Sequence, residues 1–135
     1  MTNVATVTIT VNAVNDAPVA DDETFNGNDS AHGNTAMVVN DPSDGAPNPT
    51  HPKTTVTGDI LAGDTDIDGP GPLTVTPGTF ATNDGGSVTL ESDGDFVFQP
   101  AASTSCTDTS DFFDYTVEDN GSPEMTDTGR VTIAI

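Results

Sequence analysis

The sequence predicts an all-β fold, an antiparallel β-sandwich, and three observations carry that prediction. Short runs alternate apolar and polar residues, which is the signature of strands buried on one face. Turn signals built from Asn, Asp, Gly and Pro separate the runs at intervals of ~8–12 residues. No stretch repeats its apolar residues at the ~3.6-residue period of a helix. Many short strands without helices bury their apolar faces by stacking as two sheets.

The elements follow in chain order. Ala5 to Val11 alternates strictly, with Val7, Ile9 and Val11 on one face and threonines on the other, and predicts a half-buried strand. Val131, Ile133 and Ile135 repeat that pattern at one constant offset. A strand that closes the chain and also precedes a linker is the mark of a tandem array, so residues 1–12 are expected to be the last strand of a preceding repeat. The alternative is an ordinary edge strand of this domain. Asn15-Asp16-Ala17-Pro18 cannot easily continue a strand, and residues 13–17 read as a stiff linker. The domain proper then spans 18–135, opening with a strand in 17–25 that points Val19 inward.

Residues 26–58 are the least regular part and read as a long insertion. Asn26-Gly27 signals a turn, Ala36–Val39 a short strand, and 41–53 a loop with Pro42, Pro47, Pro49 and Pro52. Thr54–Thr57 is strand-like, and Ile60-Leu61 is apolar. Leu73 and Val75 alternate with threonines; Pro77-Gly78 is a turn, and Phe80 is an apolar anchor. Val88 and Leu90, then Ser92-Asp93-Gly94, then Phe96 and Phe98 predict a β-hairpin, because Asp-Gly between alternating runs suits a tight turn. Phe113, Tyr115 and Val117 form the next strand, Asp119 to Pro123 a turn, and Thr128 to Ile135 the closing strand. The expected core is Val19, Val39, Leu61, Leu73, Val75, Val88, Leu90, Phe96, Phe98, Phe113, Tyr115, Val117, Val131 and Ile133.

Composition excludes several functions. The chain has 135 residues, suited to one domain with a modest core. Lys and Arg number 2 against 22 Asp and Glu, a formal net charge of −20. Nucleic acid and anionic lipid both need a basic surface, so this balance makes nucleic acid a poor partner and argues against adsorption to anionic lipid. The same charge strains a compact state by self-repulsion unless cations offset it. Cys106 is the only cysteine, so no disulfide can form within the chain, and metal is the available alternative staple. His32 and His51 stand isolated in polar segments and make a poor transition-metal site. No apolar run is long enough to span a membrane and no secretory leader is evident, so Met1 is expected to begin an excised piece of a longer chain.

The motif with chemistry is Asp64-Thr65-Asp66-Ile67-Asp68-Gly69. Alternating carboxylates before a glycine bend can wrap a hard cation, since calcium takes 6–8 oxygen ligands. An EF-hand counted from Asp64 would need Glu at its twelfth position, where Val75 stands, and Pro70 and Pro72 oppose an exiting helix. The remaining ligands must come from elsewhere in the chain. The competing reading is that the aspartates cap local backbone amides in turns; Asp84 and Asp93 are assigned to that role.

Four stretches in this order resemble a known family: Val14-Asn15-Asp16-Ala17-Pro18-Val19, Ile60 to Gly69, Gly86 to Phe96, and Phe113-Asp114-Tyr115-Thr116-Val117-Glu118-Asp119. They are similar to the cadherin-like, VCBS-type Ig-like repeats of large bacterial surface and secreted adhesins. The resemblance covers nearly the whole chain except 26–58. It implies a Greek-key Ig-like sandwich of about seven strands, strung head to tail with its neighbours. It also implies calcium at the junction, held by Asn15 and Asp16 from the linker, Asp64, Asp66 and Asp68 from the loop, and Asp119 late in the domain. Asp21 and Asp22 are further candidates, and a preceding domain would add ligands of its own.

The function expected from the resemblance is a non-catalytic calcium-binding module, a stiffened link in an extracellular adhesin on the bacterial surface. Its partners would be neighbouring repeats and a cell-surface glycan or protein. The alternative is a calcium-stabilised carbohydrate-binding sandwich. Sugar platforms favour exposed Trp or Tyr, and this chain has no Trp and a single Tyr115, leaving the 40–53 loop as the platform. Glycoside hydrolysis would need a pair of working carboxylates. The acids here fall in turns, and no nucleophile–base pair is legible.

Overall fold

The alternating runs become strands wherever a partner lies beside them. In the computed structural model, which describes residues 1–40, 53–69, 71–102 and 110–135, nine strands form. They are β1 (Glu23–Phe25), β2 (Ala36–Val39), β3 (Lys53–Val56), β4 (Thr74–Val75), β5 (Gly78–Ala81), β6 (Ser87–Leu90), β7 (Phe96–Gln99), β8 (Ser110–Glu118) and β9 (Thr126–Ala134). A single 3-10 turn, Gly27–Asp29, is the only helical element among the described residues. One sheet has the order β1-β9-β8-β4 and the other β3-β2-β7-β6-β5. This is the Ig-like β-sandwich expected, with two more strands than anticipated. Two pairs are parallel: β1 beside β9, and β2 beside β3.

The Asp-Gly hairpin forms as read, with Leu90 opposite Phe96 and Val88 opposite Phe98. The Asn83–Gly86 turn likewise joins β5 to β6. The longest pairing joins β8 and β9 over nine residues, from Ser110 with Ala134 to Glu118 with Thr126. Alternation along β8 buries Asp111, Phe113, Tyr115 and Val117 on one face.

The core lies between the sheets. Phe113, Tyr115, Val117, Val131 and Ile133 from one sheet meet Met37, Val39, Val88, Leu90, Phe96 and Phe98 from the other. Phe96 stands edge-on to Phe25 at 5.5 Å and to Phe113 at 5.4 Å, so one aromatic row crosses from sheet to sheet.

Several expectations are corrected. Val19 is 60% exposed, because its backbone pairs with Thr65 at the edge of the molecule while Phe25, at 7%, supplies the inward anchor of β1. Leu61 and Leu73 are only partly buried, and the fully buried Ile60 takes the core position beside Leu61. The alternative reading of Ala5–Val11, an ordinary edge strand of this domain, is not seen: the segment has no ladder partner among the described residues, and Val7, Ile9 and Val11 are 82%, 80% and 86% exposed. Gly78, read as part of a turn, instead opens strand β5, which also carries the apolar anchor Phe80 against the core. Residues 26–58 contribute β2 and β3 to the second sheet; the 41–52 part of the proline-rich loop, His51 and Cys106 lie outside the described residues.

Candidate functional site

Three segments meet where the linker enters the sandwich: residues 13–21, the loop 59–69 after β3, and the β8–β9 turn 119–125. Asp119 organises the turn. It is 3% exposed, and Oδ1 accepts the backbone N–H groups of Gly121 at 3.0 Å and Met125 at 2.9 Å. Oδ2 accepts the Asn15 side-chain amide at 2.6 Å, and the same Asn15 nitrogen donates to the Pro123 carbonyl at 2.9 Å. Burial acts to raise the Asp119 pKa, but the donors from Met125, Gly121 and Asn15 outweigh it and hold the carboxyl below its usual range. Residue 121 must be glycine for this latch, because a Cβ there would stand 1.9 Å from Asn15 Oδ1.

The next linker residue is tied to the aspartate loop. The Asp16 N–H donates to Asp68 Oδ2 at 3.2 Å, and the Asp68 N–H donates to Asp66 Oδ1 at 3.1 Å. The second Asp66 oxygen, Oδ2, is buried without a hydrogen-bond partner. A buried carboxylate oxygen left bare is costly, so this atom marks a place where a donor or a cation would be favourable. Val19 and Thr65 then exchange backbone bonds of 2.7 and 3.0 Å, which pin the loop to the incoming chain.

Asp64 belongs to a separate group. Its Oδ1 accepts the Asp21 N–H at 2.8 Å, and the Tyr115 hydroxyl lies 3.3–3.4 Å from both carboxylate oxygens while donating to the Asp21 carbonyl at 2.9 Å. Burial and the neighbouring Asp21 carboxylate push the Asp64 pKa up to about 6, against the pull of the Asp21 and Tyr115 donors. Glu23 is raised too, by burial first and then by Asp21, Asp64 and Asp59.

The structure therefore joins Asn15 to Asp119, Asp16 to Asp68, and Asp68 to Asp66, and sets Asp64 against Asp21 and Tyr115. Among the described residues, no three His, Cys, Asp or Glu side chains gather closely enough to hold a metal ion by themselves. The donor set is all oxygen and suits a hard cation, and the bare Asp66 oxygen suits one as well. A complete ligand shell would need groups from outside this domain. Sequence reasoning missed Asp127, whose Oδ2 accepts the Ala20 N–H at 3.0 Å and whose pKa is lowered by the Ala20 and Thr128 amides. It lies in the closing strand, 107 residues from Ala20, where no motif spacing marks it.

A pH dependence follows for the metal-free protein. The folded pKa of Asp64 lies above its unfolded value of about 3.8. Its contribution is fully present below pH 3.8 and is lost as pH rises through about 6. Asp119 and Asp127 act oppositely, with folded values below unfolded ones, and withdraw stability as pH falls into the acid range. Asp64→Asn is thus expected to raise the urea midpoint in chelator at pH 7.5 and to narrow the gap between pH 5 and pH 7.5. An Asp64→Asn variant with the parent's pH profile would refute this account of Asp64.

The family model for the bacterial Ig domain matches residues 43–134. No match emerges among curated proteins or among solved structures. β1 and β2 precede the matched segment, yet each completes a sheet of the same sandwich. With that match spanning most of the chain and two sheets packed on one core, the chain belongs to the bacterial Ig domain family, a structural family of non-catalytic modules.

Proposed function

We propose that this domain is a calcium-stiffened link in an extracellular chain of repeats on a bacterial surface, with a structural and adhesive role and no catalytic one. Bacterial Ig domains typically occur in surface proteins, and no helix among the described residues is long and apolar enough to cross a membrane. The observation that carries the calcium reading is the fastening of the linker. Asn15 and Asp16 are held by Asp119 and Asp68, beside an Asp66 oxygen that is buried and unpartnered. Asn15, Asp16, Asp66, Asp68 and Asp119 would hold the ion, with further oxygens from the preceding domain, while Asp64 stands apart with Asp21 and Tyr115. Calcium would supply a divalent charge that offsets the acidic pole and ties the linker to the loop, fixing the angle between repeats.

Thermal unfolding with calcium and with chelator tests this. Extracellular calcium modules have Kd of about 10⁻⁴–10⁻³ M. Free calcium at about 100 times Kd adds about 2.7 kcal/mol. For a domain of this size that is a rise in Tm of roughly 10 °C. An unchanged Tm would remove calcium binding within the single domain and leave only a junction site, to be tested in a two-repeat protein.

The carbohydrate reading has lost its aromatic residue, since Tyr115 is buried at 2% exposure with its hydroxyl bonded to Asp21. Most of the loop that would have served as its platform, 41–52, lies outside the described residues.

A further inference from the structure

Residues 2–11 match residues 126–135 at one constant offset, and Thr2, Val7, Thr8 and Ile9 are identical to Thr126, Val131, Thr132 and Ile133. The fold shows which of these positions face inward. Gly129, Val131 and Ile133 are buried and Ile135 is partly buried. Their counterparts, Ala5, Val7, Ile9 and Val11, are all small or apolar. The outward-facing Thr128 and Arg130 correspond to Val4 and Thr6. Asn3 stands for Asp127 and keeps a side-chain oxygen that can accept the bond Asp127 takes from the Ala20 amide.

β9 needs two neighbours, β8 antiparallel on one side and β1 parallel on the other. Residues 2–11 have neither among the described residues, and Val4, Val7, Ile9 and Val11 stand open to solvent. A segment with the inward pattern of a central strand thus lies outside any sheet. A bare row of alternate aliphatic side chains with unpaired backbone groups seeks a sheet to complete.

We propose that residues 2–11 are the closing strand of a preceding copy of this domain, seated between that copy's β8 and β1 in the register of β9. This names the partner in the repeat-array reading and rests on it, but not on calcium. Ala5 takes the place of Gly129, where a Cβ would come within 2.5 Å of the Asp21 carbonyl and 2.6 Å of Tyr115 Cζ. The preceding copy is therefore roomier at that point. Only Asn12, Ala13 and Val14 separate the strand from Asn15, which is latched to Asp119. Fully extended, that path spans about 14 Å. The preceding copy must then abut the pole that carries Asp16, Asp66 and Asp68, where Ile67 is 87% and Val14 78% exposed.

The test uses the 135-residue chain in chelator, so that a failure of calcium binding leaves it unaffected. In one variant the sequence of residues 2–11 replaces residues 126–135, with Gly129 kept. In a second, the sequence of residues 3–12 is placed there, again with Gly129 kept. The second slips the register by one and sets Thr8 and Thr10 at the buried positions 131 and 133. The in-register graft is expected to unfold in one cooperative transition within about 5 °C of the parent, and the shifted graft to lose its cooperative transition. Equal behaviour of the two grafts, folded or unfolded, would overturn the proposal. Deleting residues 1–12 from the full chain is expected to leave Tm within about 2 °C, and a drop of about 10 °C or more would show that the segment belongs to this domain instead.

Discussion

Phe96→Ala is expected to lower stability by about 3–5 kcal/mol, the range for truncating a buried Phe. Phe96 is fully buried on β7, and its ring touches Phe25 of β1 and Phe113 of β8, both on the opposite sheet. The substitution opens a cavity between the sheets and removes two edge-on aromatic contacts, each worth about 0.5–1.5 kcal/mol beyond area. Aromatic residues are only 5% of the chain, so little else can refill that space. A domain of this size has about 5–15 kcal/mol in total, and the variant would sit near its unfolding threshold at 37 °C. Guanidinium titration measures the effect, with Phe96→Leu as the milder comparison. A loss below about 1.5 kcal/mol would mean that the aromatic row does not join the sheets.

Asp111→Ala is expected to cost about 3 kcal/mol by a different route. Asp111 is 2% exposed at the start of β8 and accepts the Thr82 hydroxyl, the Asp84 N–H at 2.9 Å and its neighbour Phe112 N–H at 2.8 Å. The Asn83 N–H adds a bond to the Phe112 carbonyl at 3.0 Å. Together these clamp the β5–β6 turn of one sheet to β8 of the other. Removing the carboxylate strands the buried Thr82 hydroxyl and two part-buried backbone amides, which costs more than the bonds themselves contribute. Asp111→Asn keeps one acceptor oxygen and should fall between the parent and Asp111→Ala. Asp111 and Asp119 lie at opposite ends of β8, ~25 Å apart along the strand. The clamp is thus remote from the proposed calcium pole, and the calcium-induced rise in Tm should survive in both variants. A loss under about 0.5 kcal/mol for Asp111→Ala, the range of a neutral surface change, would refute the clamp.

Much of the strand inventory was legible because it is written locally. Val88, Leu90, Phe96 and Phe98 alternate around Asp93-Gly94, and strand period and turn chemistry depend only on near neighbours. The same holds for β8 and β9, where alternation predicted which side chains are buried. At Ala5–Val11 alternation states what a strand would bury but fails to say whether a sheet of this domain stands beside it, and none does among the described residues. It also failed at Val19, where an inward reading was overruled by pairing with Thr65. Asp111 carries no mark in the sequence, because nothing local places Thr82 and Asp84 around it.

The sequence by itself determined the all-β class, the hairpins, most of the core and the strongly acidic character of the chain. Tertiary structure alone decided the strand neighbours, including the parallel pairings of β1 with β9 and β2 with β3. It alone sorted the aspartates, sending Asp119 to Asn15, Asp68 to Asp16 and Asp64 to Asp21 and Tyr115. The physical reason is range. Turn and strand preferences act over a few residues. The partner of a carboxylate such as Asp119, 104 residues from Asn15, is set only when two packed sheets bring the ends of the chain to one pole.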